Sequence, residues 1–177
     1  MGSRLSIIKL GHPILGQSSS LIENIQDGQT QSLIDNLIVT VATANGVGIA
    51  APQVAISQRL FIVASRPNPR YPHAPEMEPT AMINPKIVEN STEMVKDWEG
   101  CLSVPGIRGL VPRYQWINVE YTDRNGELKD KRLVDFVARI FQHECDHLDG
   151  IIFLDRVENS QDLISEEEYQ RLQNPKT

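Results

Sequence analysis

The chain has 177 residues, of which 40% are hydrophobic and 23% are charged, and its formal net charge is −6. This length and composition predict a single globular domain over residues 1–177. The acidic balance and the lack of a nucleic-acid-binding motif argue against a nucleic-acid surface, and no apolar run is long enough to span a membrane or to form the core of a signal peptide.

The first half of the chain predicts one helix, two strands and a loop. Apolar residues recur at helical spacing within 24–45, and the Asn-Gly pair at 45–46 ends this helix. The apolar segments 59–64 and 81–88 each predict a strand. Five prolines lie within 65–79. They predict a loop, because proline fixes φ and lacks a backbone donor.

The second half predicts a hairpin followed by two helices. Residues 114–133 form the hairpin around an Asn-Gly turn at 125–126. Apolar residues at helical spacing predict a helix over about 134–148. A last helix over 165–172 has Ser165 as its N-cap, and its acidic run SEEEYQ predicts a solvated face. Strands dominate the middle and helices the ends, which favours the α+β class over alternating βαβ units.

A metal-binding pattern lies on the helix 134–148, in the stretch FQHECDHLDG. His143 and His147 are four residues apart, so their imidazoles point the same way and can meet at one metal. Glu144 lies beside them and can act as a general base on an activated water without being a ligand. The pattern HExxH has only three fixed letters and arises by chance, but two of the chain's four histidines fall within it. We therefore predict a metal site here.

Local patterns leave the third ligand of this site open. A metzincin would need a third histidine at the position of Phe153, which cannot bind a metal. A glutamate from 166–168, in a later helix, is one candidate. Cys101 is another, because a thiolate binds zinc and iron(II) strongly, although a lone buried cysteine is usually packing. Cys145 points about 200° away from His143 around the helix and is expected to pack in the core.

Three segments taken together resemble the signature motifs of peptide deformylases. They are GVGIAAPQ at 46–53, EGCLS at 99–103 and QHECDHLDG at 142–150, and LGHPIL, INPKI and FLDRV extend the resemblance over most of the chain. The resemblance implies an α+β fold with antiparallel sheets packed around the helix that carries HExxH. It also implies a metal-dependent hydrolase that removes the formyl group from the N-terminal formylmethionine of newly synthesised polypeptides and releases formate.

The resemblance further implies the composition of the metal site. The implied ligands are Cys101, His143 and His147, with Glu144 as the catalytic general base. One divalent metal is expected, with iron(II) as the native metal and zinc, nickel or cobalt as alternatives. A thiolate ligand bound to iron would leave the site open to oxidation.

The oxyanion donors and the substrate cavity are implied in the same way. The side-chain amide of Gln53 and the backbone N–H of Leu102 are the implied oxyanion donors. Arg139 lies near the rim of the cavity, where a solvated face is its ordinary explanation. The implied substrate-binding residues are Gly46, Val47, Gly48, Gly100, Phe136 and Ile140.

The implied partners are N-formylmethionyl nascent peptides and, at the level of the family, the ribosome. The expected location is the bacterial cytoplasm, with an organellar form lacking its transit peptide as the alternative. A different metallo-amidase or an aminopeptidase on the same ligands is the second hypothesis, and a metal-binding scaffold is the third. Glu144 and Gln53 argue against a scaffold, and the motifs contain no acidic anchor for the free amine that an aminopeptidase binds.

Overall fold

A computed structural model describes residues 1–174, so the last three residues of the predicted 1–177 domain lie outside it. Within these residues the chain forms two antiparallel sheets, in the strand orders β1-β2-β3-β6-β7 and β4-β5-β8. The strands are β1 Gly48–Ala50, β2 Leu60–Val63, β3 Thr80–Asn90, β4 Met94–Cys101, β5 Val104–Tyr114, β6 Trp116–Thr122, β7 Leu128–Val134 and β8 Leu163–Ser165. The helices are α1 Gly28–Thr43, α2 Asp135–Leu148 and α3 Glu166–Gln173. The predicted α+β class is confirmed.

Helix α1 begins at Gly28, later than the predicted start at residue 24, because Asp27 caps it. The Asp27 carboxylate accepts hydrogen bonds from the backbone N–H groups of Gln29 at 3.0 Å and Thr30 at 3.4 Å. These are donors that a helix N-terminus leaves without intrahelical partners. The helix stops just before Asn45, which has a φ of 53°, as the Asn-Gly pair predicted.

The larger sheet has a hydrophobic core on each of its two faces, and the side chains of β2 alternate between these cores. Leu60 and Ile62 pack in the cluster that α1 covers, whereas Phe61 and Val63 pack in the cluster that α2 covers. Helix α2 contacts β1, β2, β6 and β7 of the larger sheet and β5 of the smaller one. The helix that carries HExxH is therefore central, as predicted.

Strands β4 and β5 pair in antiparallel fashion, from Met94 opposite Tyr114 to Cys101 opposite Val104. The sequence patterns gave neither strand bounds, because charged residues and glycines interrupt the apolar alternation. The hairpin of β6 and β7 turns at Asn125–Gly126 as predicted, and Gly126 has a φ of 85°. No helix within residues 1–174 is both long and apolar enough to cross a membrane.

Candidate functional site

Three side chains that can bind a metal meet where the end of β4 lies beside α2. Cys101 is the last residue of β4, and His143 and His147 lie one turn apart on α2. One donor atom of each lies within 4.8 Å of the other two, and all three residues are buried. The Cys101 Sγ is 3.4 Å from the His147 Nε2. Burial opposes ionisation of the Cys101 thiol, but the two imidazoles lower its pKa well below the usual value.

This donor set fits one divalent metal ion. A thiolate with two imidazoles suits zinc or iron(II), and three protein ligands are the number typical of catalytic sites that keep one position open. The His143 Nδ1 lies 3.3 Å from a Glu99 carboxylate oxygen, which leaves the His143 Nε2 free to bind. The Glu144 Oε2 is buried and has no hydrogen-bond partner within residues 1–174. A polar group in the site would satisfy this oxygen.

Glu144 lies against β1, and this contact requires glycine at position 48. A Cβ atom on Gly48 would lie 2.5 Å from the Glu144 Oε1, so any larger residue would displace the carboxylate. Burial raises the pKa of Glu144 to about 7, while the two neighbouring histidines act in the opposite direction. A carboxyl group with a pKa near neutrality can both accept and return a proton.

Gln53 is buried in a short 3-10 helix after β1, and both ends of its amide are held. Its Oε1 accepts a hydrogen bond from the Ala50 backbone N–H at 2.9 Å. Its Nε2 lies 3.2 Å from the Ser103 Oγ and 3.5 Å from the Cys101 Sγ. The amide is therefore fixed with its donor end facing the thiol.

A cavity that is partly open to solvent adjoins these groups. Except for His147, every residue predicted for the site lines it. The predicted lining residues are Gly46, Val47, Gly48, Gln53, Gly100, Cys101, Leu102, Phe136, Ile140, His143 and Glu144. The cavity wall also contains four residues that were not predicted there, Arg70, Tyr71, Trp98 and Glu99, although Glu99 opens the segment EGCLS. The loop residues Arg70 and Tyr71 carry no local signal, because only the tertiary fold brings 65–79 to the cavity.

Arg139 lines the cavity, in agreement with its expected place near the rim, but it is buried, so the alternative of a solvated face is wrong. Only 6% of its surface is exposed. Its guanidinium donates hydrogen bonds to the backbone carbonyls of Val111 at 2.8 Å and Val95 at 2.5 Å. It therefore ties α2 to β4 and β5 beside the cavity.

The other candidates for the third ligand lie elsewhere in the structure. Glu166 binds Arg108 and Glu168 binds Arg171, so these two glutamates have other partners. Within residues 1–174, the one group of at least three metal-binding side chains with converging donor atoms is the group that contains Cys101. Cys145 packs against the cluster covered by α2, and burial raises the pKa of its thiol to about 12.

A buried network of ion pairs includes Glu99, the carboxylate that lies beside the His143 Nδ1. The Arg113 guanidinium binds the Glu99 carboxylate at 2.9 and 3.1 Å and the Asp146 carboxylate at 2.6 Å. Burial opposes the charge on Glu99, but Arg113 and His143 lower the pKa of Glu99 to about 2. The ionised carboxylate that accepts from the His143 Nδ1 is thus fixed in charge and position.

Replacing Arg113 by methionine is expected to lower the free energy of unfolding by up to about 3–5 kcal/mol, because the buried Glu99 and Asp146 carboxylates would lose their shared partner and keep only Arg139 and Arg156, respectively, as arginine partners. Urea unfolding followed by circular dichroism measures this change. The control is Lys86→Met, which removes an exposed ion pair with Glu120 and should leave the midpoint unchanged. Equal midpoints for the two variants would show that the network does not stabilise the fold.

Comparisons with known proteins agree on one family. The family model described as polypeptide deformylase matches residues 4–162. Peptide deformylase 2 of Nostoc sp. strain PCC 7120 is 72% identical over 168 residues, which are 95% of this chain and 94% of that protein. The Met-Ala-Ser-bound crystal structure of class I type b peptide deformylase from Acinetobacter baumannii superposes with a TM-score of 0.85 at 46% identity, covering 89% of this chain and 100% of that one. A peptide deformylase from Synechococcus elongatus in complex with actinonin gives a TM-score of 0.79 at 34% identity, covering 89% and 81%.

Proposed function

Because the chain belongs to the polypeptide deformylase family, we propose that Cys101, His143 and His147 hold the divalent metal with which it removes the N-terminal formyl group from newly made polypeptides. The observation that carries this assignment is the convergence of three buried donor atoms within 4.8 Å beside Glu144. When bound, the metal supplies Lewis-acid activation of water and of the formyl carbonyl. The chain's own residues supply proton transfer, oxyanion binding and substrate recognition.

Glu144 moves the proton in this proposal. Water adds to the formyl carbon and gives its proton to the Glu144 carboxylate. When the carbon–nitrogen bond breaks, Glu144 returns the proton to the leaving amine nitrogen, and formate and the free N-terminus are released. The contact with Gly48 keeps the carboxylate at the cavity wall through both transfers.

Gln53 and Leu102 stabilise the tetrahedral intermediate. Gln53 offers an Nε2 hydrogen that is oriented before substrate binds, because Ala50 and Ser103 already hold the amide. Leu102 follows Cys101 at the cavity and offers its backbone N–H. Donors fixed in advance act on charge that develops only during the reaction, so they accelerate turnover more than they strengthen binding.

Gln53→Ala is therefore expected to lower kcat by about 10²–10³-fold with little change in KM. Steady-state deformylation of formyl-Met-Ala-Ser measures both constants. Gln31→Ala is the matched control, because Gln31 donates side-chain hydrogen bonds on α1, away from the cavity residues. A kcat for Gln53→Ala equal to that of the control would remove Gln53 as an oxyanion donor.

We propose that the apolar part of the cavity binds the methionine side chain. Val47, Phe136 and Ile140 line it and come from two segments that face each other. The A. baumannii relative was solved with Met-Ala-Ser bound, and the same product fits the expected use of this cavity. A formyl carbon carries only hydrogen, so a tight site beside Gly46 and Gly48 would reject an acetyl group on steric grounds.

We infer iron(II) as the native metal, because one thiolate and two imidazoles suit it and because this is the metal that the family resemblance implies. We also infer action in the bacterial cytoplasm beside the ribosome, where formylated nascent chains emerge. Metal analysis of protein purified without oxygen, and co-sedimentation with ribosomes, test these two inferences.

Substrate discrimination tests the function against its rival. The protein should release formate from formyl-Met-Ala-Ser, leave acetyl-Met-Ala-Ser intact and not cleave Met-Ala-Ser. An aminopeptidase would cleave the last peptide, but Glu99, the other carboxylate that lines the cavity, is paired with Arg113 and is not free to anchor an amine. Cleavage of Met-Ala-Ser without formate release would favour the aminopeptidase instead.

A further inference from the structure

Arg108 on β5 is a fully buried cation shared by three segments of the chain. None of its surface is exposed. Its Nε and Nη2 donate to the two carboxylate oxygens of Glu166 at 2.6 and 3.1 Å. The guanidinium carbon also lies 4.8 Å from the ring centre of Tyr71 and 4.4 Å from that of Tyr169. Arg108 thus joins the proline-rich loop 65–79 to helix α3.

The residues of α3 that contact Arg108 lie on one face of the helix. Glu166, Tyr169 and Gln170 are spaced i, i+3 and i+4, so they share one face of the helix. They are the partly buried residues of α3, and no residue of this helix is fully buried. The Gln170 Nε2 donates to Glu166 at 2.9 Å and helps to orient its carboxylate towards Arg108. The helix therefore adds little to the core, and its inward side chains contact Arg108 or its partner Glu166.

The same contacts reach the part of the cavity wall that Tyr71 and Trp98 form. Tyr71 and Trp98 line the cavity. Tyr71 packs against Arg108 itself, and Trp98 packs against Tyr169, which stacks with Arg108. The Tyr71 ring centre is 5.5 Å from that of Phe136, and the Trp98 ring centre is 6.1 Å from that of Tyr169. A Cβ atom on Gly100 would lie 3.0 Å from the Arg108 Nε, so the guanidinium passes directly behind the cavity strand β4.

We propose that Arg108, Glu166 and Tyr169 form a clamp through which α3 positions Tyr71 and Trp98 in the cavity wall and sets the affinity for peptide residues that follow formylmethionine. The proposal rests on the proposed function and extends it to substrate length. The clamp residues do not line the cavity, so they are positioning residues that act through Tyr71 and Trp98. We therefore expect them to affect KM for long substrates and not the chemical step.

Loss of Glu166 or Tyr169 should loosen the wall formed by Tyr71 and Trp98, because the Arg108 charge would then lack a partner. Arg108 has one paired carboxylate, and its Nη1 has no hydrogen-bond partner within residues 1–174. Without Glu166 or the stacked Tyr169 ring, a buried guanidinium is strongly unfavourable and will move towards water. Tyr71 then loses one of the groups against which its ring packs, and the part of the cavity wall that it forms becomes less fixed.

Two substrates of different length test the clamp. Tyr169→Ala should raise KM for formyl-Met-Ala-Ser about tenfold while kcat stays within about twofold and KM for formylmethionine amide stays unchanged. Glu166→Gln should act in the same direction. Tyr169→Phe should behave as wild type, because the stacked ring is kept. Glu168→Gln is the control, since it alters an exposed pair with Arg171 on the same helix.

Trp98 fluorescence gives a readout that does not depend on activity. In a Trp116→Phe background, Trp98 is the remaining tryptophan, and its packing against Tyr169 should make its emission respond to the clamp. Tyr169→Ala should shift this emission to the red, and Tyr169→Phe should not. Equal effects on the two substrates, or an unchanged emission, would overturn the clamp. A wild-type protein inactive on both substrates would contradict the proposed function, and the emission would still decide the clamp.

Discussion

Glu144→Gln is expected to lower kcat for formyl-Met-Ala-Ser by about 10²–10⁴-fold, the range typical of a lost general acid–base group. Glutamine has nearly the shape of glutamate, so the packing against Gly48 should be kept. Because we assign Glu144 as a proton carrier and not as a ligand, the variant should still bind one metal ion per chain. Steady-state kinetics and metal analysis on the same preparation measure both quantities.

The control for this variant is Glu167→Gln, which makes the same substitution at an exposed glutamate of α3. It should match wild type in kcat and in metal content. Substantial residual turnover in Glu144→Gln would remove Glu144 as the general base. Loss of the metal from Glu144→Gln would show instead that this carboxylate helps to hold the ion.

Cys101→Ala is expected to weaken metal binding by more than about 100-fold, because even the loss of a partner behind a ligand typically costs 10–100-fold. Turnover should disappear with the metal. The chain offers a matched control in Cys145→Ala, which removes the other thiol. Cys145 packs against apolar residues of α2 and the larger sheet, so this variant should keep the metal and the activity.

Metal content after extensive dialysis distinguishes the two cysteine variants. A Cys101→Ala protein that keeps one tightly bound ion per chain would overturn the assignment of the third ligand. Loss of metal from Cys145→Ala at unchanged stability would show that the Cys145 thiol, and not only that of Cys101, is needed to hold the ion. Thermal unfolding of both variants shows whether either change acts through the fold.

Much of the fold could be predicted because local patterns dominate its helices and its second hairpin. Helix α2 and the Asn125–Gly126 turn both follow from short-range spacing. The start of α1 was misplaced because a capping aspartate, Asp27, outweighs the apolar periodicity before it. Strands β4 and β5 had no predicted bounds, since their stability comes from pairing with each other and not from their own alternation.

The site was predictable where its residues fall in contiguous motifs and not where they meet through space. His143, Glu144 and His147 share one helix turn, whereas Cys101 was assigned as a ligand only by family resemblance. The place of Arg139 near the cavity was predicted, but its burial was not, because no nearby residue of the helix shows that it binds backbone carbonyls of β4 and β5. The acidic run at 166–168 was read as solvated, and that is wrong for Glu166, because its partner Arg108 lies far away in sequence.

Formate release is the most direct test of the central claim that this cavity hydrolyses formylmethionyl peptides with one bound metal. Protein purified without oxygen is analysed for metal and then assayed for formate with formyl-Met-Ala-Ser as substrate. We expect about one divalent ion per chain and catalytic release of formate. Absence of formate with iron(II), zinc, nickel and cobalt, each supplied in turn to folded protein, would contradict the account.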